Sequence, residues 1–355
     1  MNNRLPKLRR KMAENEIDAI FVSQLENRYY LSGFAGSSGF LLITEDNAVL
    51  ATDFRYTEQA GVQVPDYHIF QITSDISKWF PELVSGLGGK RLGFEPRDIT
   101  FAMYRRISDI LKEQKSTLKL APVEGLVESM RAIKEPEEIE LITEAAGISD
   151  SAFNYIEGII QAGMTEKEVA WEMERFLREN GSQSVPFELI VASGPNAALP
   201  HARPTGRVID NGEPVVLDLG ARLKGYCSDL SRTICLGDSD DNFRKIYDVV
   251  LGAQLTAMSI IREDMTGAEV DSLARTVIAE AGYAEAFGHS LGHGVGLAPH
   301  EMPSLGPGSD EKITSGMVFT LEPGIYLSGW GGVRIEDLVL IENGKAKSIS
   351  QARKV

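Results

Sequence analysis

Three of the chain's five histidines fall in one stretch, GHSLGHGVGLAPHEMP (288–303), among closely spaced glycines and prolines. A helix is disfavoured there, since each interior glycine costs about 1 kcal/mol relative to alanine. Strand and turn geometry must therefore fix His289, His293 and His300. A lone buried histidine is ordinarily a hydrogen-bonded core residue, but three beside glycines that admit close approach of backbone or ligand point to a site. Carboxylates that could join them close apolar runs elsewhere: Asp218 after VVL, Asp229 in YCSDLSRT, Glu322 after VFTL and Glu336 in VRIEDLVL. The apolar flanks predict burial and argue against surface hairpin charges. Four buried carboxylates near one another cannot all stay ionised in a low dielectric. Divalent cations remove that conflict, and an oxygen-rich set with one imidazole suits Mn, Co, Fe or Zn better than a thiolate site would. Two such ions about 3.5–4 Å apart would generate hydroxide near neutral pH and stabilise both attacking and leaving atoms. Cys227, two residues from Asp229, would share its strand face; a packed free thiol is the simpler reading.

The elements that must carry these residues repeat. GMTEKEVAWEMERFLRENG (163–181) and DMTGAEVDSLARTVIAEAG (264–282) each place threonine at an N-cap with glutamate three residues on, and each closes on glycine. GEPVVLD (212–218) and GMVFTLE (316–322) both run from a glycine through an apolar strand to a carboxylate six positions later. One such match would mean nothing. Two in the same order predict an internal duplication, each half supplying a helix and an acidic hairpin to a shared site. Upstream, EPEEIELITEAAGISDSAFNYIEGII has Pro136 in a first-turn position, acids near the positive end of the helix dipole and apolar residues at helical spacing, and predicts a long helix.

At 355 residues two domains are the natural division. In the first third, DAIFVSQ reads as a strand, FLLITEDNAVLATD as two strands around a turn, and DITFAMYRRISDILKEQ as an amphipathic helix opened by an Asp or Thr cap, which together describe a small α/β domain. LKLAPVEGLV carries a proline and a glycine before the texture changes, so the boundary is set between 1–123 and 124–355. A net charge of −15 argues against nucleic-acid and anionic-membrane partners, both of which need a basic face. The basic N-terminus, MNNRLPKLRRKMAENEIDAIF, lacks the apolar core of a signal peptide, and no later stretch has the roughly 18 uncharged apolar residues of a span. A cytoplasmic protein is expected. Cys227 and Cys235 read as one strand, about 26 Å apart if extended, too far to bridge, which fits a reducing compartment.

VVLDLGARLKGYCSDLSRT, GHSLGHGVGLAPHE, TLEPGIY and GGVRIEDLVL resemble the signature segments of the Xaa-Pro peptidases, the aminopeptidase P and prolidase branch of the pita-bread metallopeptidases. MRAIKEPEEI resembles the segment that opens their catalytic domain, and NRYYLSGFAGSSG with TDFRYTEQA resembles their creatinase-like N-terminal domain. The likeness spans nearly the whole chain. It implies an α/β fold class: a creatinase-like N-terminal α/β domain followed by a pita-bread catalytic domain of duplicated α+β units with a curved antiparallel sheet.

By residue, the resemblance implies Asp218, Asp229, His293, Glu322 and Glu336 as ligands of two divalent ions, with manganese the first choice and cobalt, zinc or iron as alternatives. Glu322 would also act as general base. His201, in NAALPHARP, would polarise the substrate carbonyl or relay a proton. His300 would meet the proline side of the substrate, and His289 and Arg334 would support the substrate side of the site from just outside the ligands. A metal-bridging hydroxide would then release the N-terminal residue preceding proline from proline-containing di- or oligopeptides. Homodimers are usual among such relatives. Strict dipeptidases of the family carry an arginine shortly after the HE pair, where this chain has MPSLGPG with Ser304 at that position; a hydroxyl cannot supply the charge. The aminopeptidase reading is therefore favoured over strict prolidase. A methionine aminopeptidase would lack the first 123 residues, and a metal-free creatinase-like hydrolase or a non-catalytic binding module of this fold would lack ligands.

Overall fold

The computed structural model describes residues 3–354, so Met1 and Asn2 of the basic N-terminal stretch, and Val355, lie outside it. Two compact units divide between Met130 and Arg131.

Short β-branched and aromatic runs of the first unit become a mixed six-stranded sheet in the order His68–Ile72, Ala48–Asp53, Phe40–Thr44, Ala19–Val22, Arg91–Phe94, Lys119–Pro122. Helices Ile76–Leu83 and Phe101–Glu113 contribute their apolar residues to its core, with Phe21, Trp79 and Phe80 at the centre. Thr100, not Asp98, caps the second of these helices, accepting from Met103 N at 3.2 Å.

The second unit is built twice over. Each half opens with a long helix (Pro136–Ile159; Asp241–Ile260) followed by a shorter one (Glu166–Glu179; Gly267–Glu280). Both shorter helices carry the expected capping boxes, Thr165 with Glu168 and Thr266 with Glu269. Glycines Gly181 and Gly282 at positive φ turn the chain away from both, since L-residues resist that conformation. Each half then lays down an apolar strand, a β-hairpin and a returning antiparallel strand. In the first half these are Pro214–Leu219, the pair Arg222–Leu223 and Tyr226–Cys227, and Leu230–Cys235. In the second they are Val318–Leu321, the pair Gly324–Leu327 and Gly331–Arg334, and Asp337–Glu342. Separate apolar cores fill the halves.

The match extends to register. Ser193 pairs with Val215 in one half and Gly294 with Phe319 in the other, so Ala192 stands where the second half has His293. Within GHG, a side chain at either glycine is impossible: a Cβ on Gly292 would lie 2.0 Å from Thr320 O, and on Gly294 2.0 Å from Met302 O. The two glycines let His293 sit on a strand squeezed between neighbours. The cysteines correct the sequence expectation. Cys227 and Cys235 belong to different short strands, because the chain breaks from extended pairing at Ser228 and Asp229, where Ser228 N turns to Ala221 O at 2.9 Å. Neither is in a disulfide, and the Cys227 thiol is buried against Leu297 O at 3.6 Å.

Candidate active site

Asp218 is the last residue but one of the first apolar strand and Asp229 precedes the returning one; in the second half Glu322 directly follows its apolar strand and Glu336 precedes the returning one. Pairing of Asp218 with Ser231 and of Leu321 with Asp337 brings each acid beside its partner, and Glu336 N donates to Ser231 O at 3.0 Å across the halves. The four acids, His201, His289, His293, His300 and Arg334 all line one cavity of about 470 Å³. Every candidate site residue from the sequence is there. Cys227 does not line it. Phe187, Glu188, Ser290 and Arg203 do, and no local pattern singles them out.

Asp229, His293 and Glu336 each offer a ligand atom within 4.8 Å of the others. His293 Nδ1 donates to Gly294 O at 3.2 Å, which leaves Nε2 facing Glu322 Oε1 (3.3 Å) and Asp229 Oδ2 (3.9 Å). A backbone partner that fixes the tautomer in this way is what a metal-binding imidazole requires. Asp218 Oδ2 accepts from Arg334 Nη2 at 2.6 Å, while its Oδ1 is buried with no partner.

Without cations the electrostatics are unsustainable. Burial, then the facing Glu336, Asp218 and Glu322 carboxylates, push Asp229 well above the usual carboxylate range. Burial, then Glu322 and Asp218, do the same to Glu336, and burial raises Asp218. Glu322 goes the other way: burial opposes ionisation, but the bond and charge of His293 hold it at about 2. Two buried carboxyls driven toward protonation, an orphaned carboxylate oxygen and an imidazole whose Nε2 faces the acids form a donor set that divalent cations fit, since the ions supply the missing positive charge.

Arg334 organises the surroundings. Its guanidinium reaches Ser231 Oγ (2.8 Å), Pro200 O (3.1 Å), the Tyr326 hydroxyl (3.0 Å) and Asp218. Tyr326 was not foreseen. Its hydroxyl accepts from Arg334 and donates to His289 Nε2 at 3.0 Å, while His289 Nδ1 donates to Ser290 O at 2.8 Å. Both ring nitrogens of His289 are thus committed. The one available signal was Tyr326's place in TLEPGIY, where Gly324 leaves room: a Cβ there would lie 2.6 Å from the tyrosine oxygen. Two further devices fix loops. Glu166, fully buried, accepts from Ser193 N (2.8 Å), Thr205 N (2.9 Å) and Thr205 Oγ1 (2.6 Å), pinning the loop that carries His201. Glu301, next to His300, is held by Lys134 (3.0 Å) and Arg131, all three side chains buried.

Comparison with known proteins agrees with this geometry. The pattern of Metallopeptidase family M24 matches residues 140–343, and that of the Creatinase/Prolidase N-terminal domain matches 4–133. The chain belongs to metallopeptidase family M24, with a creatinase-type domain ahead of its catalytic domain. It is 36% identical to a protein named Xaa-Pro dipeptidase from Pyrococcus furiosus, over 100% of this chain and 99% of that one. Among solved structures it resembles an Xaa-Pro dipeptidase from Bacillus anthracis (TM-score 0.94, 41% identity, 100% of this chain and 98% of the other). It also resembles an X-Pro aminopeptidase from Thermotoga maritima (TM-score 0.90, 36% identity, 99% and 98%). The fold expected from the sequence is the fold observed.

Proposed function

We propose that this metallopeptidase removes the N-terminal residue that precedes proline in Xaa-Pro peptides, using two divalent ions held by Asp218, Asp229, His293, Glu322 and Glu336. The convergence of four buried acids from two halves on one imidazole nitrogen carries the reading. When bound, such ions polarise the scissile carbonyl and lower the pKa of water toward neutrality. The protein's own groups do the rest. Glu322 is kept ionised by His293, and its Oε1 accepts from the Thr320 hydroxyl at 3.1 Å, so its other oxygen can take the proton of the attacking water. His201, on a loop whose Pro200 carbonyl is held by Arg334, faces the cavity to stabilise charge growing on the carbonyl oxygen. His300, tilted against His293 with ring centroids 4.0 Å apart, would line the proline side. His289 and Tyr326 brace Arg334, which keeps Asp218 aimed. Proton return through Glu322 or a histidine to the proline nitrogen lets the amine leave.

The aminopeptidase reading is favoured over strict dipeptidase because Ser304 is exposed and its N–H donates to Glu311 at 2.9 Å, so an acid rather than a cation faces that position. The relatives carry both names, and the match to the creatinase-type domain counts against methionine aminopeptidase. Manganese as the native ion, a homodimer and a cytoplasmic location complete the proposal. The absence of a disulfide between the two cysteines fits the last. The test is metal-free protein reloaded with Mn, Co or Zn and given Ala-Pro, Ala-Pro-Ala and Met-Ala-Ser. Release of alanine from Ala-Pro-Ala is expected; preferential release from Met-Ala-Ser overturns the proline assignment.

A further inference from the structure

The cavity is lined by five carboxylates, Glu188, Asp218, Asp229, Glu322 and Glu336, against two guanidiniums, Arg203 and Arg334. A peptide ending just after the scissile bond brings a free carboxylate into this acidic space. Arg334 cannot meet it, being 3% exposed and already bonded to Ser231, Pro200, Tyr326 and Asp218. Ser304 offers no charge. Arg203 is different. Its side chain is 78% exposed, and its ion pair is with Glu188, itself 59% exposed, at 3.0 Å. Exposed pairs of this kind are weak enough to exchange partners.

Arg203 is nonetheless well placed. It lies two residues beyond His201 on a loop fixed on both sides, by Arg334 at the Pro200 carbonyl and by buried Glu166 at Thr205. The backbone is thereby set at the cavity while the long side chain stays free to swing from Glu188 to an incoming anion. A guanidinium also suits a planar carboxylate, which it can grip with two parallel bonds.

We infer that Arg203 reads the C-terminal carboxylate of short Xaa-Pro substrates, exchanging Glu188 for it, so that the enzyme accepts Xaa-Pro dipeptides without an arginine at position 304. This deepens the Xaa-Pro peptidase reading and rests on it. Because the pair is exposed and exchangeable, the preference is graded: peptides extended beyond proline, or capped there, lose this contact but remain substrates.

The experiment compares Ala-Pro with Ala-Pro-amide in manganese-loaded wild type, Arg203→Ala, Arg203→Lys and Glu188→Gln. Arg203→Ala should raise KM for Ala-Pro on the order of two- to fivefold at nearly constant kcat and leave the amide unchanged. Arg203→Lys should recover part of that loss, and Glu188→Gln, which frees the guanidinium, should lower KM for Ala-Pro alone. All three substitutions are at exposed side chains, so folding is not at issue. Equal effects of Arg203→Ala on both substrates, or none on Ala-Pro while the wild type cleaves it, overturn the role of Arg203 and leave the peptidase reading standing. A wild type inactive on every Xaa-Pro peptide overturns both.

Discussion

The Arg334 guanidinium, from the second half of the catalytic unit, donates to Asp218 Oδ2, from the first, at 2.6 Å, with the arginine side chain 4% and the aspartate 14% exposed. This bond joins the halves at the site, and the same arginine holds the loop before His201. Arg334→Lys keeps the charge but loses the fork that reaches four partners at once. Metal affinity should fall about 10- to 100-fold, as outer supports of metal ligands typically cost. Isothermal titration with Mn checks it, and wild-type affinity in the variant would remove Arg334 from the scheme.

Asp229→Asn removes one charge from the cluster that includes His293 and Glu336. Bound metal, counted by elemental analysis after gel filtration, should drop together with peptidase activity. The metal-free variant should be at least as stable as metal-free wild type, because a carboxylate that burial and three neighbouring acids resist ionising is gone. Full turnover in this variant is incompatible with the proposed site.

Acid stability should depend on Glu301. Burial alone would raise its carboxyl, but Lys134 and Arg131 outweigh that and hold it below the ordinary value. A depressed folded pKa gives stability that is present above the unfolded value of about 4.3 and disappears as pH falls through the folded one. Glu301→Gln leaves Lys134 and Arg131 buried without their anion and should cost roughly 3–5 kcal/mol at pH 7. The gap to wild type should narrow below pH 4 in urea melts. A gap independent of pH would mean packing, not charge, is responsible.

Glu166→Ala removes the acceptor of Ser193 and Thr205. Unsatisfied buried donors cost about 1–3 kcal/mol each, so the variant should melt at lower temperature. The loosened loop should reduce kcat through His201 while metal content stays at the wild-type level, a split that a general loss of folding would not produce.

Much of this was readable in advance for a physical reason. Acids at the ends of apolar strands, threonine caps with glutamate at the third position and a glycine-flanked imidazole are local patterns, and each formed as its own few residues dictate. What escaped depends on distant partners. Nothing local marks Glu166 among the first-turn acids of its helix, because Ser193 and Thr205 lie far along the chain. Nothing local marks Tyr326 either, because Arg334 and His289 meet its hydroxyl only once the hairpin closes. The two cysteines appeared to share a strand because nothing nearby announces that Ser228 will pair backward with Ala221.

The repeat is imperfect at one position, where a methyl group at Ala192 answers the imidazole of His293. A single Nε2 can serve one ion only, so two cations held as proposed here would be chemically unlike neighbours, one bound through nitrogen and oxygen and the other through oxygen alone. Occupancy should therefore build up in two unequal stages, with zinc or cobalt drawn first to the mixed position and manganese discriminating least between them.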